Sequence, residues 1–389
     1  MKVSITLLAC AGALICGGPA LAQQGNGIGP GWDAMRNLGP PRLVPIPQGG
    51  QPSAAAKDCA NADGKVAARR RVEACGKLID SGKWKGHDIA WAYANRCVAY
   101  FKLGQRDKAR ADCDQALALD DGNAVAFETR GLIAQSGGDS AKALADFDKA
   151  VSLGAKSAAL FVARGDILLA QGEADRALAS YDQAIELDGA GAAPRVARGG
   201  AWLAKDDAGR AIEDYQKAIE LAPGNGFAAF GLGLASYLKG DRSKAIDAFR
   251  QALRLDAANA YPALWLFLAQ DGEEAKADLR QASAKFGGGS WPNPVMRYDL
   301  GALDGPGLFD AAKTPADQCE AQFYFGAERL KQGAREEARA ALSKAVEICP
   351  KNFFEFFGAR AGLKALAADA VAAPPSKAEP PAPAPAEGK

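Results

Sequence analysis

The chain has 389 residues, with 47 Lys plus Arg against 46 Asp plus Glu, a single histidine and 48% hydrophobic residues. Charges of both signs interleave, and no basic run exceeds Arg69-Arg-Arg71, read as a solvated helix face, which argues against nucleic acid or an anionic membrane surface as partner. His87 is the only imidazole and no Cys-x-x-Cys pair occurs, so metal ligation and Ser-His-Asp or Cys-His catalysis have few residues to draw on.

Residues 1–22 read as a secretory signal peptide: one Lys, an apolar run from Val3 to Cys16, a Gly-Gly-Pro break, and Ala20-Leu21-Ala22 before Gln23. The run is too short to cross a bilayer. Leu7-Leu8-Ala9-Cys10 fits a lipid-anchor site only superficially, because cleavage there leaves too little hydrophobic core, and Cys16 follows the bulky Ile15. The expectation is an exported, periplasmic protein, soluble after cleavage near Ala22 and without an integral membrane span. Residues 23–56 are rich in Gly and Pro with few periodic apolar positions, as expected of a disordered linker.

Residues 57–89 read as a degenerate opening helix pair, with its second helix at Ala67–Gly82. From 90 to 259 a 34-residue period takes over. Arg130-Gly131, Arg164-Gly165 and Arg198-Gly199 fall on it, as do Ala109, Ala143, Ala177, Ala211 and Ala245, and Ala116, Ala150, Ala184, Ala218 and Ala252. The units run 90–123, 124–157, 158–191, 192–225 and 226–259. Leu178-Ala-Ser-Tyr181-Asp-Gln-Ala184 and Ile212-Glu-Asp-Tyr215-Gln-Lys-Ala218 show the small, aromatic, small spacing best. Period and spacing resemble the tetratricopeptide repeat, which implies antiparallel helix pairs in which the alanines mark close helix contacts.

The period lapses at 260–318, where Leu264-Trp-Leu-Phe-Leu268 and Asp271–Ala284 suggest a helix pair broken by Gly287-Gly-Gly289-Ser-Trp-Pro292. It resumes at 319–352 through Gly326, Gly333, Ala338, Ala345 and Pro350, with a capping helix to 370 and a disordered Pro-Ala-rich tail at 371–389. Residues 260–368, with Trp291, Tyr298-Asp-Leu-Gly301, Gln322-Phe-Tyr-Phe-Gly326 and Asn352-Phe-Phe-Glu355, resemble the C-terminal half of NlpI-type periplasmic repeat proteins. The fold class expected is therefore all-α: a solenoid of helix pairs with an irregular helical insert and a C-terminal cap.

Six cysteines follow the signal segment, an even number in an oxidising compartment. Cys59 and Cys75 are 16 apart, as are Cys97 and Cys113; in the repeat fold Cys97 takes the glycine position and Cys113 the facing aromatic one. Cys319 and Cys349 open and close the last helix pair. Disulfides 59–75, 97–113 and 319–349 are expected, against the alternative of buried free thiols.

The recurring Arg96, Arg130, Arg164 and Arg198 could bind an anion, but Asp112, Asp146 and Asp214 recur where they would pair with them. Arg164 faces Ser180 instead and is the one arginine left to watch. Carboxylate pairs such as Asp112 and Asp114, or Glu273 and Glu274, read as solvated or ion-paired helix faces. No catalytic residue, cofactor or metal site is expected.

By the repeat resemblance, ligands bind the inner face of the first helices. Its outward positions here are Trp91, Ala94, Val98, Phe101, Val125, Glu128, Leu132, Val162, Asp166, Leu169, Val196, Leu203, Phe227, Phe230, Leu234 and Tyr237. The strongest groove candidates are Trp91, Val98, Phe101, Val162, Leu169, Leu203, Phe227, Phe230, Leu234 and Tyr237. The basic residues of a carboxylate clamp are missing. A non-catalytic envelope adaptor for protein or peptide partners is expected, with proteases or peptidoglycan-remodelling enzymes implied by the NlpI resemblance. The alternatives are a scaffold of a secretion or polysaccharide-export assembly and a cell-wall glycan enzyme using paired carboxylates.

Overall fold

The computed structural model describes residues 43–44, 52–61, 64–270, 272–285 and 290–372. The signal segment 1–22, most of the linker, the Gly287-Gly-Gly289 break and the tail beyond 372 lie outside the described residues. Nineteen α-helices and no strand occur among those described. An opening pair, α1 (Ala54–Ala60) and α2 (Ala68–Asp80), precedes five regular pairs: α3 (His87–Lys102) with α4 (Arg106–Leu119), α5 (Ala124–Ser136) with α6 (Ser140–Ser152), α7 (Ala158–Ala170) with α8 (Ala174–Leu187), α9 (Ala193–Ala204) with α10 (Ala208–Leu221), and α11 (Gly226–Lys239) with α12 (Arg242–Leu255). The irregular stretch forms α13 (Tyr261–Ala269), α14 (Glu273–Lys285), α15 (Asn293–Asp299) and α16 (Gly305–Ala311). A closing pair, α17 (Pro315–Lys331) and α18 (Arg335–Ile348), leads into α19 (Phe354–Ala372).

Local chemistry sets the helix starts. Asn123, Asp139, Ser157, Asp207, Asn225 and Asp241 each accept a backbone N–H from three residues on, satisfying a donor the helix itself leaves free. The turn inside a pair needs one residue at positive φ, supplied by Gly138 and Gly172 at 81° and 84°.

Packing explains the period. Ala109, Ala143, Ala177, Ala211 and Ala245 are all fully buried, as are Ala116, Ala150, Ala184 and Ala218. A larger side chain there would force the helices apart. Across each pair a glycine on the first helix receives an aromatic ring from the second: a Cβ on Gly131 would lie 2.6 Å from the Phe147 ring, and one on Gly165 2.5 Å from Tyr181. In the first regular pair Cys97 and Cys113 occupy those two positions and are joined as a disulfide. Cys59 is joined to Cys75 across α1 and α2, and Cys319 to Cys349 across the closing pair.

Several details differ from the sequence expectations. Helix α1 begins at Ala54, inside the segment assigned to the linker, because Ser53 caps it and Cys59 anchors it to α2. His87 is the first residue of α3, and its side chain is 75% exposed. Arg71 is buried while Arg69 and Arg70 stay exposed, so the basic run is not uniformly solvated. The closing pair starts at Pro315, ahead of 319, because Thr314 and Asp317 form a reciprocal capping box.

Candidate functional site

Successive first helices lie against one another, α3 on α5, α5 on α7, α7 on α9 and α9 on α11. Stacked this way they form the inner side of the array.

Every arginine of the ladder is paired with an aspartate. Arg96, Arg130 and Arg198 each make a two-pronged bond to the aspartate of their own pair, Asp112, Asp146 and Asp214, at 2.6–2.8 Å. Arg130 and Arg198 also donate to Asp114 and Asp182 on the second helix of the preceding pair, at 2.9 and 2.7 Å. Arg164, which lacks the first partner, donates to Asp148 of the preceding pair and to the Ser180 hydroxyl, both at 2.7 Å. Hydrogen bonds donated to the Asp146 and Asp214 carboxylates hold the guanidinium pKa values of Arg130 and Arg198 above the usual range despite burial. These cations join neighbouring pairs.

The apolar groove is a correction. The ten candidates were expected to face solvent; Val98, Val162, Leu169, Leu203, Phe230 and Leu234 are buried, and so is Trp91, whose ring meets Trp84 at 6.2 Å. Phe101 is half-buried among the cores of the first regular pairs. Phe227 and Phe230 contact Phe354 of α19, at 5.8 and 4.8 Å between ring centres, and Tyr237 meets Trp265 of α13 at 5.8 Å. The cause is long-range. Helix α19 turns back along the inner face, and Arg360 donates to the Ala204 carbonyl at 3.0 Å and pairs with Asp206. Helix α19 thus covers Phe230, while Phe227 beside Phe354 and Tyr237 beside Trp265 of α13 are half-buried.

The face opens near α3 and α5. Here Asn95, fully buried on α3, grips the backbone of Val44: its Oδ1 accepts the Val44 N–H at 2.9 Å and its Nδ2 donates to the Val44 carbonyl at 3.0 Å. Buried Arg71 donates to the Asn95 backbone carbonyl at 2.9 Å, and desolvation lowers its pKa to about 10. A pocket of about 380 Å³ continues from Leu43 and Val44 over Asn123, Val125 and Ser157 to Glu128. Glu128 is 2% exposed, and its Oε1 has no hydrogen-bond partner among the described residues. Burial raises its pKa to about 7 against the counter-effect of the Ser157 hydroxyl. Glu128 was legible as an outward position; Asn95 was not, because one asparagine within an alanine-rich helix leaves no periodic trace.

A second polar cluster lies under the closing pair. Glu320 accepts from the Tyr261 hydroxyl at 3.0 Å and the Trp291 indole at 2.7 Å, and Glu355 from the Tyr324 hydroxyl at 3.3 Å. Both carboxyls are buried, and desolvation raises both pKa values, that of Glu355 to about 7. Phenol and indole donors occupy them from inside the core, an arrangement that orders packing.

The tetratricopeptide-repeat family profile matches residues 90–123, 162–226 and 228–259. Human sperm-associated antigen 1 is 55% identical over 40 residues, 10% of this chain and 4% of that protein. The crystal structure of YrrB, a TPR protein with an unusual peptide-binding site, superposes at TM-score 0.43 and 24% identity over 49% of this chain and 96% of its own. PilF of Pseudomonas aeruginosa does so at TM-score 0.45 and 19% identity, over 52% and 92%. Profile matches, helix pairing and the buried alanine and glycine positions agree that residues 90–259 carry tetratricopeptide repeats.

Proposed function

We propose that the chain is a non-catalytic envelope adaptor that holds extended segments of partner proteins on the inner face of its first regular repeats. The observation that carries this reading is the two-bond grip of Asn95 on the Val44 backbone. A side-chain amide bonding both the N–H and the C=O of one residue recognises extended main chain whatever the side chain, much as a neighbouring strand does. Location in the periplasm is supported by the signal-like residues 1–22 and by three disulfides, which persist in oxidising compartments. The resemblance of residues 260–368 to NlpI-type proteins supports envelope proteases or peptidoglycan-remodelling enzymes as partners.

The test is quantitative capture from envelope extracts with wild type and with an Asn95→Ala, Glu128→Gln double variant. The variant should retain about a tenth or less of the bound partner, in line with losing a central polar anchor. Capture that is unchanged while the variant remains folded would defeat the reading.

A further inference from the structure

Resting on that reading, we propose that Leu43-Val44 is a built-in occupant of the Asn95 site, and that an extended apolar segment of a partner binds by displacing it. Three observations point this way. The site is made for main chain: Asn95 is fully buried, spends both its donor and its acceptor on Val44, and is itself held by the buried Arg71. The Val44 side chain is half-buried and packs between two small clusters, one around Ala94, Ala116 and Ala126 and the other around Trp91 and Ala92, so the seat takes a β-branched or similar aliphatic residue. The pocket also extends past the occupant to Glu128, whose Oε1 is buried without a partner among the described residues. Buried acceptors are normally satisfied. A longer ligand could hold the Val44 seat and bring an N–H donor to Glu128 as well.

The competition has a defined signature. When a site is open only a fraction of the time, the apparent affinity of any competitor falls by that fraction, so an occupant seated nine-tenths of the time weakens partner binding about tenfold. Removing the occupant while leaving the groove intact should restore it. Val44→Pro does this in the full chain: it deletes the N–H that Asn95 accepts and touches no groove residue. Val44→Gly keeps the N–H, removes the side chain, and should give a smaller gain.

The probe is a fluorescent peptide spanning residues 40–48 of this chain, Pro-Pro-Arg-Leu-Val-Pro-Ile-Pro-Gln, titrated into the full-length mature protein by anisotropy, with helicity and melting temperature recorded for each variant. The expected result is binding to Val44→Pro about tenfold tighter than to wild type, an intermediate gain for Val44→Gly, and loss when Asn95→Ala is added. Affinity that is the same in wild type and both variants would overturn the proposal, as would binding that survives Asn95→Ala. Dimers of the wild type that dissociate in Val44→Pro would also overturn it, since the segment would then seat on a second copy. None of these outcomes decides the adaptor reading, which fails only if capture of envelope partners ignores Asn95 and Glu128.

Discussion

Glu128 shows how one side chain can oppose the stability of the domain that positions it. Its pKa is about 4.5 in an unfolded chain and about 7 here, because burial disfavours the charged form. The folded state therefore binds the proton more tightly: its contribution is fully present below pH 4.5 and disappears as pH rises through 7. Glu128→Gln should match wild type in chemical denaturation near pH 4 and exceed it at pH 8 by up to about 3 kcal/mol, from roughly 1.4 kcal/mol per pKa unit. Equal stabilities at pH 8 would mean that the carboxylate is solvated. This residue was legible in the sequence as an inner-face position. Its burial was not, since that depends on residues from other segments, among them Ser157, whose hydroxyl reaches it. Arg71 was misread for the same reason: nothing in Arg69-Arg-Arg71 distinguishes the one that turns inward toward the Asn95 carbonyl.

In the helix pairs, the glycine and aromatic positions form an interchangeable module. Ring contact fills it in Gly131 with Phe147 and Gly165 with Tyr181, and a disulfide fills it between Cys97 and Cys113. Breaking the disulfide with Cys97→Ala should cost about 3 kcal/mol, the chain-entropy value for a loop of this length. The double change Cys97→Gly, Cys113→Phe should recover much of that loss by restoring the contact used elsewhere in the array, whereas Gly165→Ala, driving a methyl into Tyr181, should cost about 1–3 kcal/mol. Urea unfolding of the three variants checks both statements; a double variant no more stable than Cys97→Ala would show that the positions are not equivalent. This level was well marked in the sequence, because small and aromatic residues recur at fixed spacing wherever adjacent helices must meet.

For the whole molecule, the expected capping helix is present as α19, and what sequence reasoning missed is where it packs, against α11 and the end of α9. Phe227, Phe230 and Tyr237 lie at the inner positions expected of them, yet Phe354 and Trp265 pack against them. The Phe354 contacts join residues more than a hundred positions apart and leave no local period, so a covered groove and an open one look alike in the sequence. Phe354 is half-buried, so Phe354→Ala should cost about 1–3 kcal/mol of folding free energy, less than a fully buried phenylalanine, with a matching drop in melting temperature. A melting temperature within 2 °C or so of wild type would mean that α19 is only loosely held.

Arg360 returning to Ala204 and Asp206 has a mechanical consequence. A stack of helix pairs free at both ends behaves as a spring, its pitch opening a little at every joint when it is pulled or wrapped around a ligand. Here the last coils are clasped to α9, so stretching them means prying α19 loose first. Compliance is left to the joints from α3 to α8, the stretch that also carries the Asn95 seat, and an incoming chain would meet the elastic half of the spring while the clasped half serves as its fixed mount.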